Sequence, residues 1–488
     1  MSHPEPNLRA GALGLPSVIM QAVTHIAPGT GVILTLQLIT KHAGQAVPLA
    51  FAIGFVIMLA LGMSLAELAK HIPSAGGYYT YVSRTVHPRA GFLTAWLYFL
   101  YDPVGTAINL SFVGFMAENS LREAYGWNMP WWAFMIVTAL LISVLAYRGI
   151  EISVEFTLVL GIAEVVLLLA LAASGLLTPG PGGVSLEPFN WHNIPSTSGL
   201  ALAVVYTIFC FSGFEAVAPL AEESRNPKRN LPRAIVGSVL LMGLAYVFCS
   251  WGLLAGWGTD SETLQKFINV PDNAENPLFQ LARRLWGRGG IVILLVLVNS
   301  AIGVSMASTN AATRVFFAMG RSGSLPKILA RVHPVHQTPF VAIALQTVLT
   351  FAIGLGLGFT MGPEGEFFFL ATALTVGMVF VYCAGNLGVF LFFYRKLRNE
   401  FSVFRHFLLP LVSTAAMLYG GYKTLDPAPD PFDPPACYAP YLVLIWLAIG
   451  IGLLVVMKMR GREDWLLKAG QAAYEHPASA DATPETTS

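Results

Sequence analysis

Twelve stretches of mostly apolar residues divide this chain: 17–40, 47–69, 90–118, 131–147, 153–177, 197–221, 233–256, 291–319, 340–359, 367–394, 404–422 and 438–458. A helix crossing a bilayer core needs about 20 such residues, so each stretch reads as one span. A chain patterned this way cannot hide its apolar surface in a single water-soluble core. Only 11% of its 488 residues are charged, against about 25% in ordinary soluble domains. The expected class is therefore an all-α, multi-pass membrane protein in the cell membrane, surrounded by lipid, and a soluble enzyme is excluded. The net charge of +1 gives no basis for binding nucleic acid. Cys210, Cys249, Cys383 and Cys437 form no C-x-x-C pair and read as small buried residues, not as a zinc or disulfide framework. Neither G-x-x-x-x-G-K-[ST] nor H-E-x-x-H occurs. Nor do nucleophile, base and metal ligands gather anywhere, so neither enzyme chemistry nor a cofactor is expected.

Basic residues orient the spans. With twelve spans, the even-numbered connections and both tails hold 21 of the 28 lysines and arginines, and the other side holds 7. Cytoplasmic loops carry the excess of positive charge, so both termini are expected in the cytoplasm. The first apolar stretch lacks an A-x-A cleavage site and reads as a retained span, not a signal peptide. The proline-rich segment from Leu425 to Pro440 reads as a stiff external connection, and the end of the chain from about Glu475 as a disordered tail.

Two spans are interrupted mid-membrane. The first carries His25-Ile26-Ala27-Pro28-Gly29-Thr30-Gly31-Val32, and the sixth carries Phe209-Cys210-Phe211-Ser212-Gly213-Phe214-Glu215, with Pro219 beyond. Proline and glycine weaken a helix interior, and non-helical backbone at that depth persists only inside protein or beside a watery cavity. A broken helix leaves amides free on its second half and carbonyls free on its first. The amides suit a carboxylate and the carbonyls suit an ammonium group or a cation. Paired breaks five spans apart point to a transporter site between repeats; helix packing kinks are the alternative.

Four motifs resemble the amino acid–polyamine–organocation superfamily of permeases. Gly29-Thr30-Gly31-Val32 resembles the glycine-flanked break of the first helix. Ala66 to Trp96 resembles the first cytoplasmic loop and the start of helix three. Phe209 to Glu215 with Glu222 to Ile235 resembles helix six and its exit, and Asn310 to Pro326 the end of helix eight. The resemblance implies two inverted five-helix repeats of the leucine-transporter type, at 17–177 and 197–395, with two peripheral helices at 404–458. The tails are then 1–16 and 459–488. It also implies secondary active transport of an amino acid or related amine by alternating access, as a symporter. A polyamine- or ethanolamine-type cation permease or exchanger is the alternative, and a channel-like facilitator or transporter-derived sensor the reading from another class.

The same resemblance suggests site residues. The substrate carboxylate is expected at the Thr30 and Gly31 amides beside Gly29. The amine is expected at carbonyls of Ala27, Phe209 and Ser212, near Ile26 and Gly213. Phe209 is expected as an aromatic gate, with Phe211 a lesser candidate and plain packing the alternative for both. From spacing alone, Tyr98, Asp102, Thr106 and Asn109 share one helix face, on which Pro103 adds a kink and frees the carbonyl of Phe99. A buried carboxylate there is costly unless paired, hydrated or protonated, so Asp102 is open to three roles: binding a cation, carrying a proton, or a structural hydrogen bond. Glu215 braces the second break or senses protons. Glu164, deep in apolar sequence, departs from the lysine that some family members place hereabouts and is a proton-coupling candidate, with a structural hydrogen bond as the competitor. Ser305, Ser308 and Thr309 are weak sodium candidates, and the coupling ion expected first is the proton. Glu222, Glu223, Arg225, Lys228, Arg229 and Arg233 read either as an inner gate or as solvated loop charges.

Overall fold

The computed structural model describes residues 8–270, 276–425 and 436–461. Most of the proline-rich connection, the start of the N-terminal tail and nearly all of the C-terminal tail lie outside the described residues. Sixteen α-helices follow one another: α1 (Leu15–Ile26), α2 (Pro28–Ala43), α3 (Val47–His71), α4 (Tyr78–Thr85), α5 (Pro88–Tyr98), α6 (Asp102–Tyr125), α7 (Trp131–Arg148), α8 (Ile150–Leu177), α9 (Thr197–Cys210), α10 (Pro227–Trp257), α11 (Ser261–Ile268), α12 (Pro277–Trp286), α13 (Val292–Ser322), α14 (Phe340–Arg395), α15 (Leu409–Leu425) and α16 (Ala439–Met459). No β-strand occurs among the described residues; a single bridge joins Leu13 and Ser224. Among the described residues, eight helical runs are long and apolar enough to cross a membrane. The two longest, Leu15–His71 with 57 residues and Phe340–Arg395 with 56, exceed one crossing. Each is bent internally, the first at Ala27 and again at Gly44–Ala46, the second at Gly362 with φ 77°. Many large apolar side chains stay exposed along the outer helix faces, among them Leu244, Leu295, Val348 and Ile445. That is the surface expected of a chain solvated by lipid. The protein is an all-helical, multi-pass membrane protein.

The buried interior is where the bends cluster. α3 lies along α10, α6 lies between α13 and α14, and α1 packs against α8, α10 and α13. The first break follows directly from sequence. Ala27 adopts φ 55°, ψ 67°, a left-handed conformation that costs a non-glycine residue about 1–2 kcal/mol. Pro28 then opens α2, where its missing N–H is no loss. At the second break α9 stops at Cys210, Gly213 turns with φ 118°, and the chain continues as a 3-10 turn over Phe214–Leu220 that holds Pro219.

A third interruption corrects the sequence reading of helix three. The polar face from Tyr98 to Asn109 is not one continuous helix: α5 ends at Tyr98 and α6 begins at Asp102. Pro103 is the physical reason, because its ring excludes the carbonyl four residues earlier, that of Phe99, from a continuing helix. The outcome is a full break where only a kink was expected, and it puts Asp102 at a helix start.

Candidate substrate site

The three breaks meet. A Cβ at Gly213 would lie 2.3 Å from His25 Nδ1 and 2.7 Å from the His25 carbonyl oxygen. Only glycine therefore lets the second break press against the end of α1. From the third break, Asp102 reaches the same point: its Oδ1 is 2.7 Å from His25 Nε2, and Tyr98 OH donates to its Oδ2. Ser308 Oγ of α13 stands 3.0 Å from His25 Nε2. Tyr101 packs edge-on against the imidazole. Asp102 is 1% exposed and His25 4%, so each of these charged or chargeable groups depends on the other for compensation. Glu215 closes the second break from behind by accepting from the Gly213 N–H at 3.1 Å. His25 Nδ1 and Glu215 Oε1 find no partner among the described residues.

Above this junction lies a cavity of about 1210 Å³. Its wall includes Ile26, Ala27, Thr30, Gly31, Asp102, Asn109, Phe209 and Ser212, all singled out from sequence, along with His25, Tyr101, Tyr206 and Ser308. Four expected contacts are not in the wall. Gly29 faces Glu164 and Ser300. Thr106 points at α13, where its hydroxyl is 3.4 Å from the Ser305 carbonyl and 3.5 Å from Thr309 Oγ1. Phe211 is fully buried against Phe55 and Tyr246. Gly213 is covered by His25.

The first turn of α2 differs from the sequence expectation. A helix start leaves four amides without internal partners, and here each is accounted for. Ala27 N–H donates to Thr24 O at 3.1 Å, and Pro28 has none. Gly29 N–H donates to Glu164 Oε1, and Thr30 N–H donates to Ser300 Oγ at 3.1 Å. The Thr30 hydroxyl also goes to Ser300, at 2.8 Å, and Gly31 N–H returns to Ala27 O at 2.8 Å. The donors expected to greet a substrate carboxylate are engaged by the protein itself. Glu164 is buried on α8 and absent from the cavity wall; Asn299 Nδ2 donates to it at 3.4 Å. Glu155, nine residues before it, is exposed.

The opposite side of the junction is sealed. Arg314 on α13 grips Glu223 with two parallel bonds, Nε to Oε2 at 2.9 Å and Nη2 to Oε1 at 3.0 Å, and both side chains are fully buried. Arg321 pairs with Glu222 at 2.5 Å, which also accepts from the Ala75 N–H. Two members of the expected charge cluster are thus ion-pair partners of α13, Glu223 fully buried and Glu222 half-buried, not solvated loop charges. Arg225 Nε donates to Gly11 O, and the Leu13–Ser224 bridge clips the N-terminal segment to the same place.

The family profile described as amino acid permease matches residues 13–462. The chain belongs to the amino acid permease family. The permease is 26% identical over 460 residues to the low-affinity putrescine importer PlaP of Escherichia coli strain K12, covering 90% of this chain and 92% of that protein. It is 29% identical over 338 residues to the branched-chain amino acid permease BcaP of Bacillus subtilis strain 168, covering 64% and 68%. To the serine/threonine exchanger SteT of the same organism it is 26% identical over 355 residues, covering 71% and 77%. All three relatives are transporters, and this chain is a permease, not an enzyme. Two parts of its polar junction escaped sequence reasoning. His25 stood inside the first break motif, yet nothing local marked it as the partner of a residue 77 positions away. Arg314 likewise gave no sign of meeting Glu223.

Proposed function

We propose that this permease moves an amino acid or related organic amine by alternating access, with proton coupling through the His25–Asp102 pair. The proposed frame is twelve spans, with inverted five-helix repeats at 17–177 and 197–395, peripheral helices at 404–458 and both termini in the cytoplasm. One observation carries the mechanism: a large cavity reaches the point where three helix breaks meet, while the buried Arg314–Glu223 pair lies on the other side of that junction. A solute held at the junction faces water on one side only. Opening the other side requires those ion pairs to part, and the basic-residue asymmetry assigns them to the cytoplasmic face.

Asp102 and His25 suit coupling because they line the cavity, touch each other, and are surrounded by Tyr98, Tyr101, Ser308 and Glu215 without a fixed cation. A proton on the pair neutralises Asp102, and its loss leaves a net negative charge facing the solute. Glu164 is assigned to bracing α2, and Glu215 to bracing the second break. Sodium is the weaker choice, since Ser308 faces the imidazole and Thr309 faces Thr106.

Reconstitution into proteoliposomes tests this. Radiolabelled amines and amino acids are offered under an inward proton gradient. Accumulation above the outside concentration, abolished by a protonophore and by Asp102→Asn, is expected. Downhill flux alone, insensitive to the protonophore, would instead make the protein a channel-like facilitator.

A further inference from the structure

Resting on that reading, we infer that the transported solute is an organic ammonium that carries no carboxylate beside its amine, because Glu164 already occupies the place a substrate carboxylate needs. Every amide left over at the start of α2 is taken. The occupant at Gly29 is itself a carboxyl group, held by donors from two elements: the Gly29 N–H of α2 and Asn299 of α13. It is 1% exposed. A solute carboxylate at the adjacent Thr30 amide must displace Ser300, whose hydroxyl oxygen accepts from both the N–H and the hydroxyl of Thr30. The arrangement therefore leaves such solutes without donors at the break.

The other half of the solute is well provided for. Asp102 offers the negative charge in the cavity wall, which also includes the aromatic residues Tyr101, Tyr206 and Phe209, a residue type that attracts cations. Arg122 of the wall does not restore a carboxylate site at the breaks: it is twenty residues along α6 from Asp102, about 30 Å at 1.5 Å per residue.

Matched pairs that differ only by the carboxylate provide the test: isobutylamine and valine, phenethylamine and phenylalanine, putrescine and ornithine, agmatine and arginine. Binding to the purified full-length permease is measured by calorimetry. In every pair that binds, the amine is expected to bind at least tenfold more tightly than its amino acid. Glu164→Ala, which frees the Gly29 amide, is expected to shrink that ratio at least fivefold; Glu164→Gln, which keeps an acceptor oxygen there, is expected to preserve it. A wild-type preference for the amino acid overturns the inference while leaving the transporter reading intact, and this arm holds even if Glu164→Ala does not fold. An unchanged ratio in folded Glu164→Ala also overturns it. Binding by no member of any pair contradicts the transporter reading itself.

Discussion

The two breaks that frame the cavity look alike in sequence and are built differently. At the first, a left-handed alanine and a proline restart a full helix, α2, whose exposed amides are satisfied from other elements: Glu164 on α8 and Ser300 on α13. At the second, a left-handed glycine leads into a 3-10 turn, and the leftover amide of Gly213 is satisfied from two residues away by Glu215. At their amide ends, one break is wired to neighbouring helices and the other is closed within its own segment; the second is tied outward at its carbonyl end, where Tyr246 of α10 donates to Cys210 O at 3.0 Å. Motion of the first strains amide bonds to α8 and α13, whereas motion of the second strains the bond to α10.

Five substitutions probe that contrast and the closure beside it, beginning with the most severe. Gly213→Val forces branched carbons into His25, already 2.3 Å from the Cβ position, and demands φ 118° of a β-branched residue; transport is expected to vanish, and wild-type uptake in vesicles would show that the breaks do not touch. Arg314→Ala strands the buried Glu223 carboxylate. Losing one partner of such a pair costs roughly 3–5 kcal/mol, read as a fall in melting temperature that Arg314→Met with Glu223→Leu largely recovers.

Glu164→Ala removes the side chain that caps α2 from outside, with an expected loss of about 1–2 kcal/mol, the upper range of helix-start caps. Glu215→Gln, which keeps an acceptor for the Gly213 amide, is expected to change stability by no more than about 0.5 kcal/mol. Thermal unfolding of the two variants side by side tests whether the first break depends more on distant partners; equal losses would erase the distinction. One substitution acts in the opposite direction: Ala27→Gly relieves the left-handed alanine and is expected to add about 1 kcal/mol.

What was legible in the sequence was what is local along the chain. Pro28, Gly29 and Gly213 mark their breaks because helix geometry fails within a few residues of them. Pro103 marked a third interruption, but its extent depended on where Asp102 could find partners, and a proline alone does not reveal that. Of the eight cavity-wall residues foreseen from motifs and spacing, all but Asn109 sit at breaks or within one turn of them. The misplaced ones, Gly29, Thr106, Phe211 and Gly213, are at the right depth but face a neighbouring helix. Side-chain direction around a break is set by packing, not by spacing. Long-range pairs such as Glu164 with Gly29, His25 with Asp102 and Arg314 with Glu223 leave no periodic trace. Each half is an ordinary polar residue until the fold brings the other to it.

Thiol labelling tests most directly whether the cavity above the three breaks is where the solute binds. Asn109→Cys in a background without the four native cysteines is purified in detergent, which opens both faces, and treated with a thiol reagent, with Val335→Cys, 78% exposed, as the control outside the cavity. A saturating concentration of a transported solute is expected to slow labelling at position 109 at least fivefold and leave position 335 unchanged. Equal labelling rates at position 109 with and without that solute would contradict the account.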